Sequence, residues 1–405
     1  MYFFALGVNY LYTIFMVRSR YLESSILEDL SKKMVFVAGP RQIGKTTLAA
    51  DIIGKHFRQA AYFNWDNQGN RRDLMAARWP ASAKLLILDE IHKFKGWKGF
   101  LKGQYDSLKT RYKFLITGSA RLDIYRRGGD SLQGRYHLYR LHPFSLAELS
   151  GRKANLQPFK ELPIQEVFFG DLLTALDKFG GFPEPFLSQE ERLLRRWHNE
   201  RNERLFREDI QDVELIRDLG RMKLLSDMLP EKVGALLSVN SIREDLGVSY
   251  RAAAHWLDIL ESFYYHFRIH PYARSSFRSL KKVPKLYLWD WSEVSGEAAR
   301  FENLIASNLL KLVHWLRDRE GYKAELYFLR DEAQREADFL VTVDERPWFA
   351  VEVKLQELSA SPHLRYFREK LKIPFSYQVI KKSGVDVLSE GTRILSADKF
   401  LLALI

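Results

Sequence analysis

Short apolar runs separated by polar turns set the first third of the chain apart from the rest. Met34–Ala38 and residues 61–65, 85–88 and 113–119 are brief and rich in Val, Ile, Leu, Phe and Tyr, as expected for strands buried on both faces of a parallel sheet. Thr47–Ile53, just after the first run, reads as a helix. Over residues 184–232 the period changes. Leu193-Leu194-Arg195-Arg196-Trp197 and Leu205-Phe206-Arg207-Glu208-Asp209-Ile210 alternate charged and apolar positions at helical spacing and predict a helical connector. Residues 241–249 then give a short helix, a turn at Gly247 and a cap at Ser249, and residues 250–261 a second helix. That is a helix-turn-helix pattern. A helical run over 301–312 and strand-like segments at 336–341 and 349–354 close the chain, with a turn predicted at Asp344-Glu345-Arg346-Pro347. The pattern is α/β.

Composition adds bounds. At 405 residues the chain has room for two to three domains of about 150 residues, and 46% hydrophobic with 28% charged residues describe a folded protein. Zero cysteines exclude a disulfide scaffold, Cys-ligated zinc, an iron–sulfur cluster and thiol catalysis, and fit a reducing cytoplasm. A net charge of +12 favours polyanionic partners. Residues 1–17 are uncharged and mostly apolar, yet shorter than the roughly 20 residues a membrane span needs. Arg18 and Arg20 follow this run rather than precede it, unlike the basic start of a signal peptide. The expectation is therefore no stable span and a start codon placed too early, with Met16 the real beginning. The alternative is a packed or membrane-associated N-terminal segment.

Gly39-Pro40-Arg41-Gln42-Ile43-Gly44-Lys45-Thr46, followed by Thr47, is an unbroken GxxxxGK[ST] loop between a predicted strand and a predicted helix. The glycines let successive backbone N–H groups face phosphates, and the helix start adds partial positive charge. Lys45 is placed to reach the β- and γ-phosphates of ATP, and the Thr46 hydroxyl to hold Mg²⁺. Residues 85–90 end in Asp89 and Glu90, 44 positions after Lys45. Asp89 is expected to position Mg²⁺ through water and Glu90 to polarise the attacking water. Thr117 or Ser119, at the tip of a later strand, is expected to sense the γ-phosphate. Arg135 is the candidate for an arginine that completes a site, a neighbour's in a homo-oligomer. Residues 89–92, 117–120 and 133–140 imitate three helicase motifs. A two-lobed helicase needs its arginine in a second ATPase-like domain, whereas Arg135 follows Asp89 by only 46 positions.

The loop at 39–48, the acidic strand at 88–91, Leu115-Ile116-Thr117-Gly118-Ser119, Gly134-Arg135, Pro143-Phe144-Ser145-Leu146-Ala147-Glu148 and Gly180-Gly181-Phe182-Pro183-Glu184 together resemble the prokaryotic AAA+ ATPases that carry a C-terminal nuclease-like domain of unknown function. His92 departs from that pattern, where Gln is usual. The resemblance implies ATP hydrolysis by a cytoplasmic protein. The expected layout is an apolar segment at 1–17, an AAA+ P-loop ATPase core with a parallel sheet at 18–150, and a helical lid at 151–232. A winged-helix domain at 233–295 and an α/β nuclease-like domain at 296–405 complete it.

In a DNA reader the exposed start of the second helix makes the contacts, so Tyr250, Arg251 and His255 are candidates, with Lys281, Lys282 and Lys285 as a basic wing. The alternative is packing against a protein. In the last hundred residues Asp338 and the Glu352-x-Lys354 pair, with Glu302 on the helical run, resemble the PD-(D/E)xK nuclease core. Glu352 and Lys354 share one face of a strand. Two converging carboxylates hold Mg²⁺ or Mn²⁺ in such a site, with the lysine stabilising the transition state. A fold relic without activity is the competing reading, and Ala337 stands where the motif has Pro. No histidine spacing suggests a metal site.

The main expectation is an ATPase coupling nucleotide state to movement on duplex DNA. The alternatives are an ATP-dependent DNA endonuclease and a nucleotide-switched protein-interaction module.

Overall fold

The computed structural model describes residues 19–118, 132–152, 156–166, 169–211, 218–273, 279 and 282–405. The apolar segment 1–17, Ser119 and Lys281 lie outside them. The chain divides into two compact units, one ending at His142 and one beginning at Pro143.

In the first unit, β1 (Met34–Ala38), β2 (Ala60–Asn64), β3 (Leu85–Asp89), β4 (Lys113–Gly118) and β5 (Tyr136–Arg140) form an all-parallel sheet in the order β2-β3-β4-β1-β5. Every residue of β1 and β3 is buried, which is why the sequence runs apolar there without alternation. One face packs Met34, Phe36, Leu86, Leu88, Phe114 and Ile116 against Trp97, Leu101 and Tyr105 of the helix Trp97–Leu108. Parallel register brings the strand ends together: Ala38 pairs with Gly118, and Asp89 pairs with both Thr117 and Asn64. In the sheet the strand between β1 and β3 is β4, whereas in sequence it is β2. The loops after these carboxyl ends are where an open α/β sheet binds its ligand.

The second unit is built on an eight-stranded mixed sheet. Its strands are β6 (His266–Pro271), β7 (Lys285–Leu288), β8 (Ala324–Arg330), β9 (Glu336–Val343), β10 (Arg346–Lys354), β11 (Phe375–Ile380), β12 (Asp386–Ser389) and β13 (Thr392–Ser396), ordered β12-β13-β11-β10-β9-β8-β6-β7. Helices α1 (Val239–Leu246) and α2 (Tyr250–Ser262) precede β6. Ser238 and Ser249 accept hydrogen bonds from Ser241 N–H and Ala252 N–H as N-caps, and Gly247 closes α1 at φ 62°. The antiparallel pair β6/β7 follows, and β6 joins β8 through His270↔Tyr327 and Pro271↔Phe328. The strands after the helix pair therefore continue the sheet of the last hundred residues. β9 and β10 are antiparallel, linked by Asp344 and Glu345 at φ 48° and 65°, the two left-handed residues of a tight hairpin turn. Helix α3 (Glu297–Asp318) packs on this sheet.

The two edges of the sheet differ. On β7, the Leu288 N–H donates to Asn303 Oδ1 at 2.8 Å and Asn303 Nδ2 donates to Leu288 O at 2.8 Å, while Val233 and Leu236 bridge to Leu286 and Lys285. β12, at the other edge, leaves Leu388 77% exposed.

The sequence motifs at 143–148 and 180–184 serve packing here. A Cβ on Gly181 would lie 2.6 Å from the Trp291 ring and 2.8 Å from Phe144 O, and Phe144 N–H donates to Gly181 O at 2.7 Å. The buried Lys311 ammonium donates to Glu148 at 2.7 Å and Ser145 Oγ at 2.8 Å. Among the described residues no helix is long and apolar enough to cross a membrane.

Candidate functional site

The loop after β1 folds around its own lysine. Lys45 Nζ donates to Gly39 O at 2.9 Å and Pro40 O at 2.7 Å, and the side chain is buried. Glycine is required on both sides: a Cβ on Gly39 would meet Leu141 O at 2.6 Å, and Gly44 sits at φ 90°. Gln42 is also left-handed, at φ 60°. Arg41 and Ile43 complete the turn, and Thr46 and Thr47 begin the helical segment, wound with π-type hydrogen bonds over Thr47–Ile53.

Three hydroxyls converge on Asp89. Thr46 Oγ1 donates to Oδ2 at 2.9 Å, Thr117 Oγ1 to Oδ1 at 2.5 Å and Tyr62 OH to Oδ2 at 2.7 Å. The donor set fits a hydrated divalent cation, since a hydroxyl and a carboxylate stand side by side and the acid's hydrogen-bond partners named here are neutral. Thr117 reaches Asp89 because β4 lies beside β3. Tyr62 escaped the sequence reading: its place on β2, with Asn64 two residues on pairing with Asp89, depends on register. Asp89 and burial together push the Tyr62 phenol up, burial contributing most.

Glu90 adopts the left-handed conformation at φ 58°, uncommon for a non-glycine residue, and its N–H donates to Thr117 O at 3.0 Å. Burial raises its carboxyl pKa, with Lys45 and Lys93 pulling the other way. His92, buried, places Nε2 at 3.4 Å from Glu90 Oε2. Arg135 lies next to Met34, at the opposite end of the sheet from the phosphate loop, and its guanidinium grips Asp106 in a two-point pair at 2.8 and 3.0 Å.

The second unit gathers a separate cluster. The pairing Val351↔Phe339 sets Glu352 opposite Asp338 on one face, as the predicted turn requires. Val353 N–H donates to Asp338 Oδ2 at 2.8 Å, and Lys354 Nζ lies 2.9 Å from Glu352 Oε1. Glu302 arrives from α3 and accepts from Tyr287 OH at 2.7 Å. Burial, then the neighbouring Asp338 charge, raises both Glu302 and Glu352 to a pKa of about 7.

One expectation is overturned here. Lys285 is no part of an exposed basic wing: it is 4% exposed, because β7 is buried on both faces, and alternation puts Lys285 on the same face as Tyr287. Its Nζ lies 2.6 Å from Glu336 Oε1, 3.8 Å from Glu302 Oε1 and 4.0 Å from Asp338 Oδ1. Tyr250, Arg251, His255 and Lys282 are exposed. An open cleft of about 720 Å³ is lined by Lys282, Arg330, Arg335 and Lys370 together with Asp331 and Glu332.

Among the described residues, the set whose ligand atoms all lie within 4.8 Å of one another is His198, Asp290 and Glu293. No spacing announced it, since His198 is far from the others in sequence. Arg201 already serves it as a cation, at 2.8 Å from Glu293 and 3.6 Å from Asp290.

Residues 31–150 match the AAA domain family, and the first unit carries that P-loop fold. Residues 173–294 and 298–400 match two domains of unknown function, DUF8612 and DUF4143. An uncharacterized protein of Methanocaldococcus jannaschii is 24% identical over 360 residues, covering 85% of this chain and 80% of the relative. An uncharacterized protein of Mycobacterium tuberculosis is 24% identical over 331 residues, covering 78% and 69%. Among solved structures, the Aeropyrum pernix ORC1 protein in complex with DNA overlaps at a TM-score of 0.31 and 12% identity, covering 72% of this chain and 94% of that one. The Thermotoga maritima RuvB Holliday junction branch migration motor overlaps at 0.28 and 17%, covering 61% and 87%. Overlaps of this size carry no reading of function.

Proposed function

We propose that the first unit binds and hydrolyses ATP with Mg²⁺, and that nucleotide state changes the action of the second unit on duplex DNA. The observation that carries the hydrolysis is Asp89 held by Thr46 and Thr117 beside the phosphate loop. On binding, Lys45 exchanges the Gly39 and Pro40 carbonyls for phosphate oxygens, and the backbone of residues 39–46 cradles the phosphates. Mg²⁺, held through Thr46 and Asp89, would neutralise developing charge on the phosphates. Glu90, left-handed and half-buried, accepts a proton from the attacking water, and Thr117 keeps Asp89 aligned. Arg135 of a neighbouring copy completes the site, which requires release from Asp106.

For the second unit, α1, α2 and the β6/β7 pair read as a winged helix. Tyr250, Arg251 and His255 on its exposed face, the exposed Lys282 and the net charge support DNA as the target. A nuclease reading of Glu302, Asp338, Glu352 and Lys354 rests on their convergence on one sheet face. The test is the ATP hydrolysis rate of the full chain with and without duplex DNA, with Lys45→Ala as the blank. The expected result is a loss of at least about a hundredfold in the variant and stimulation of the wild type by DNA that fades between about 50 and 200 mM salt. A variant as fast as wild type sinks the ATPase. A Lys45-dependent rate indifferent to DNA points instead to a protein partner.

A further inference from the structure

The carboxylates of the second unit sit where a nuclease-like fold would hold a divalent cation, yet the residues around them do not fit one. One oxygen of each is engaged by the chain itself. Glu302 Oε1 accepts from Tyr287, Asp338 Oδ2 from the Val353 N–H, and Glu352 Oε1 from Lys354. Glu336 is shared between Lys285 through Oε1 and Arg330 through Oε2 at 2.6 Å each. The centre they surround is filled by an ammonium: three carboxylates from α3 and β9 lie within 4.0 Å of Lys285 Nζ. The ring of Phe328 adds a fourth wall, 5.5 Å from that nitrogen. Glu302, Asp338 and Glu352 are not gathered into a three-ligand set, and Glu352 Oε2 is buried without a hydrogen-bond partner among the described residues.

We infer that Lys285 is the resident cation of this cluster, and that a divalent metal and the Lys285 ammonium exclude one another. A metal entering beside a fixed ammonium would meet like charge at short range in a low-dielectric pocket, while Glu302, Glu336 and Asp338 without the Lys285 ammonium would repel one another. Arg330 and Lys354 pair with Glu336 and Glu352, and the space between Glu302, Glu336 and Asp338 takes one cation, which Lys285 supplies. The occupant comes from β7, within the region preceding the last hundred residues, so the cluster is assembled from two segments that match different families. Metal-dependent cleavage at this site is closed while β7 is in place.

The experiment is a count of bound Mn²⁺ by electron paramagnetic resonance on the full chain without nucleotide. Wild type and Asp338→Asn are expected to bind the same number of ions, whereas Lys285→Met gains one tight site that Lys285→Met/Asp338→Asn loses. Lys285→Arg, keeping the charge, gains none. A wild-type ion removed by Asp338→Asn overturns the inference, as does a folded Lys285→Met that gains no site. If Lys285→Met fails to fold, the comparison of wild type with Asp338→Asn still decides: equal counts support the resident lysine and one ion fewer overturns it. This inference stands apart from the ATPase reading, which Lys45→Ala tests.

Discussion

The two acidic centres of this chain solve opposite problems with similar residues. In the first unit Asp89 is surrounded by hydroxyls from Thr46, Thr117 and Tyr62, which orient the carboxylate without cancelling its charge. In the second, Glu302, Glu336, Asp338 and Glu352 face Lys285, Lys354 and Arg330. Neutral donors leave an acid ready for an incoming cation. Charged donors satisfy it in advance. The difference teaches that converging carboxylates leave room for an incoming cation only where no built-in ammonium stands between them, a distinction that residue type and spacing cannot supply.

Variants at the two centres should separate cleanly. The largest effect is expected at Glu90: Glu90→Gln lowers ATP turnover by about 10²- to 10³-fold while leaving ATP binding within a few-fold, because the amide keeps the shape and cannot take a proton. Binding and turnover falling together would recast Glu90 as a ligand of the nucleotide.

A pH titration of stability addresses the second centre. Glu302 is raised from an ordinary 4.5 to about 7, chiefly by burial and then by Asp338. The folded chain keeps this proton while the unfolded chain loses it, so the contribution is full below about 4.5 and is lost as pH rises to about 7. Urea unfolding across that window should show wild-type stability declining relative to Glu302→Gln, which has no proton to lose. Parallel profiles would mean an ordinary carboxyl.

The smallest effect belongs to Tyr62→Phe, which removes one of three hydroxyls from Asp89. A loss of about 1 kcal/mol in transition-state stabilisation, roughly fivefold in kcat/KM, is expected. A hundredfold loss would promote Tyr62 to a proton-transfer role.

Legibility in the sequence followed locality. The phosphate loop and the Asp89-Glu90 pair are contiguous, and their strand and helix contexts are set by neighbours a few residues away. Thr117 was within reach because parallel strands end together. The β9/β10 turn was legible from Asp344 to Pro347, and with it the facing of Asp338 and Glu352. Tyr62 and Lys285 were not legible, for they depend on which strand lies beside which. Residues 281–285 read as a basic run, and only the placement of β7 in the sheet buries its last lysine. Arg135 is similar, since its pairing with Asp106 needs the helix Trp97–Leu108 docked on the sheet.

The unequal edges of the second sheet bear on how the chain behaves in company. At β7 the Asn303 amide takes the place of a neighbouring strand, so no other backbone can pair at Leu288. Among the described residues β12 has no such stopper: its outer backbone and the exposed Val387 and Leu388 end the sheet open. Growth of this sheet by strand addition is thus one-directional, and a charged residue or proline in β12 is where self-association through it would be blocked.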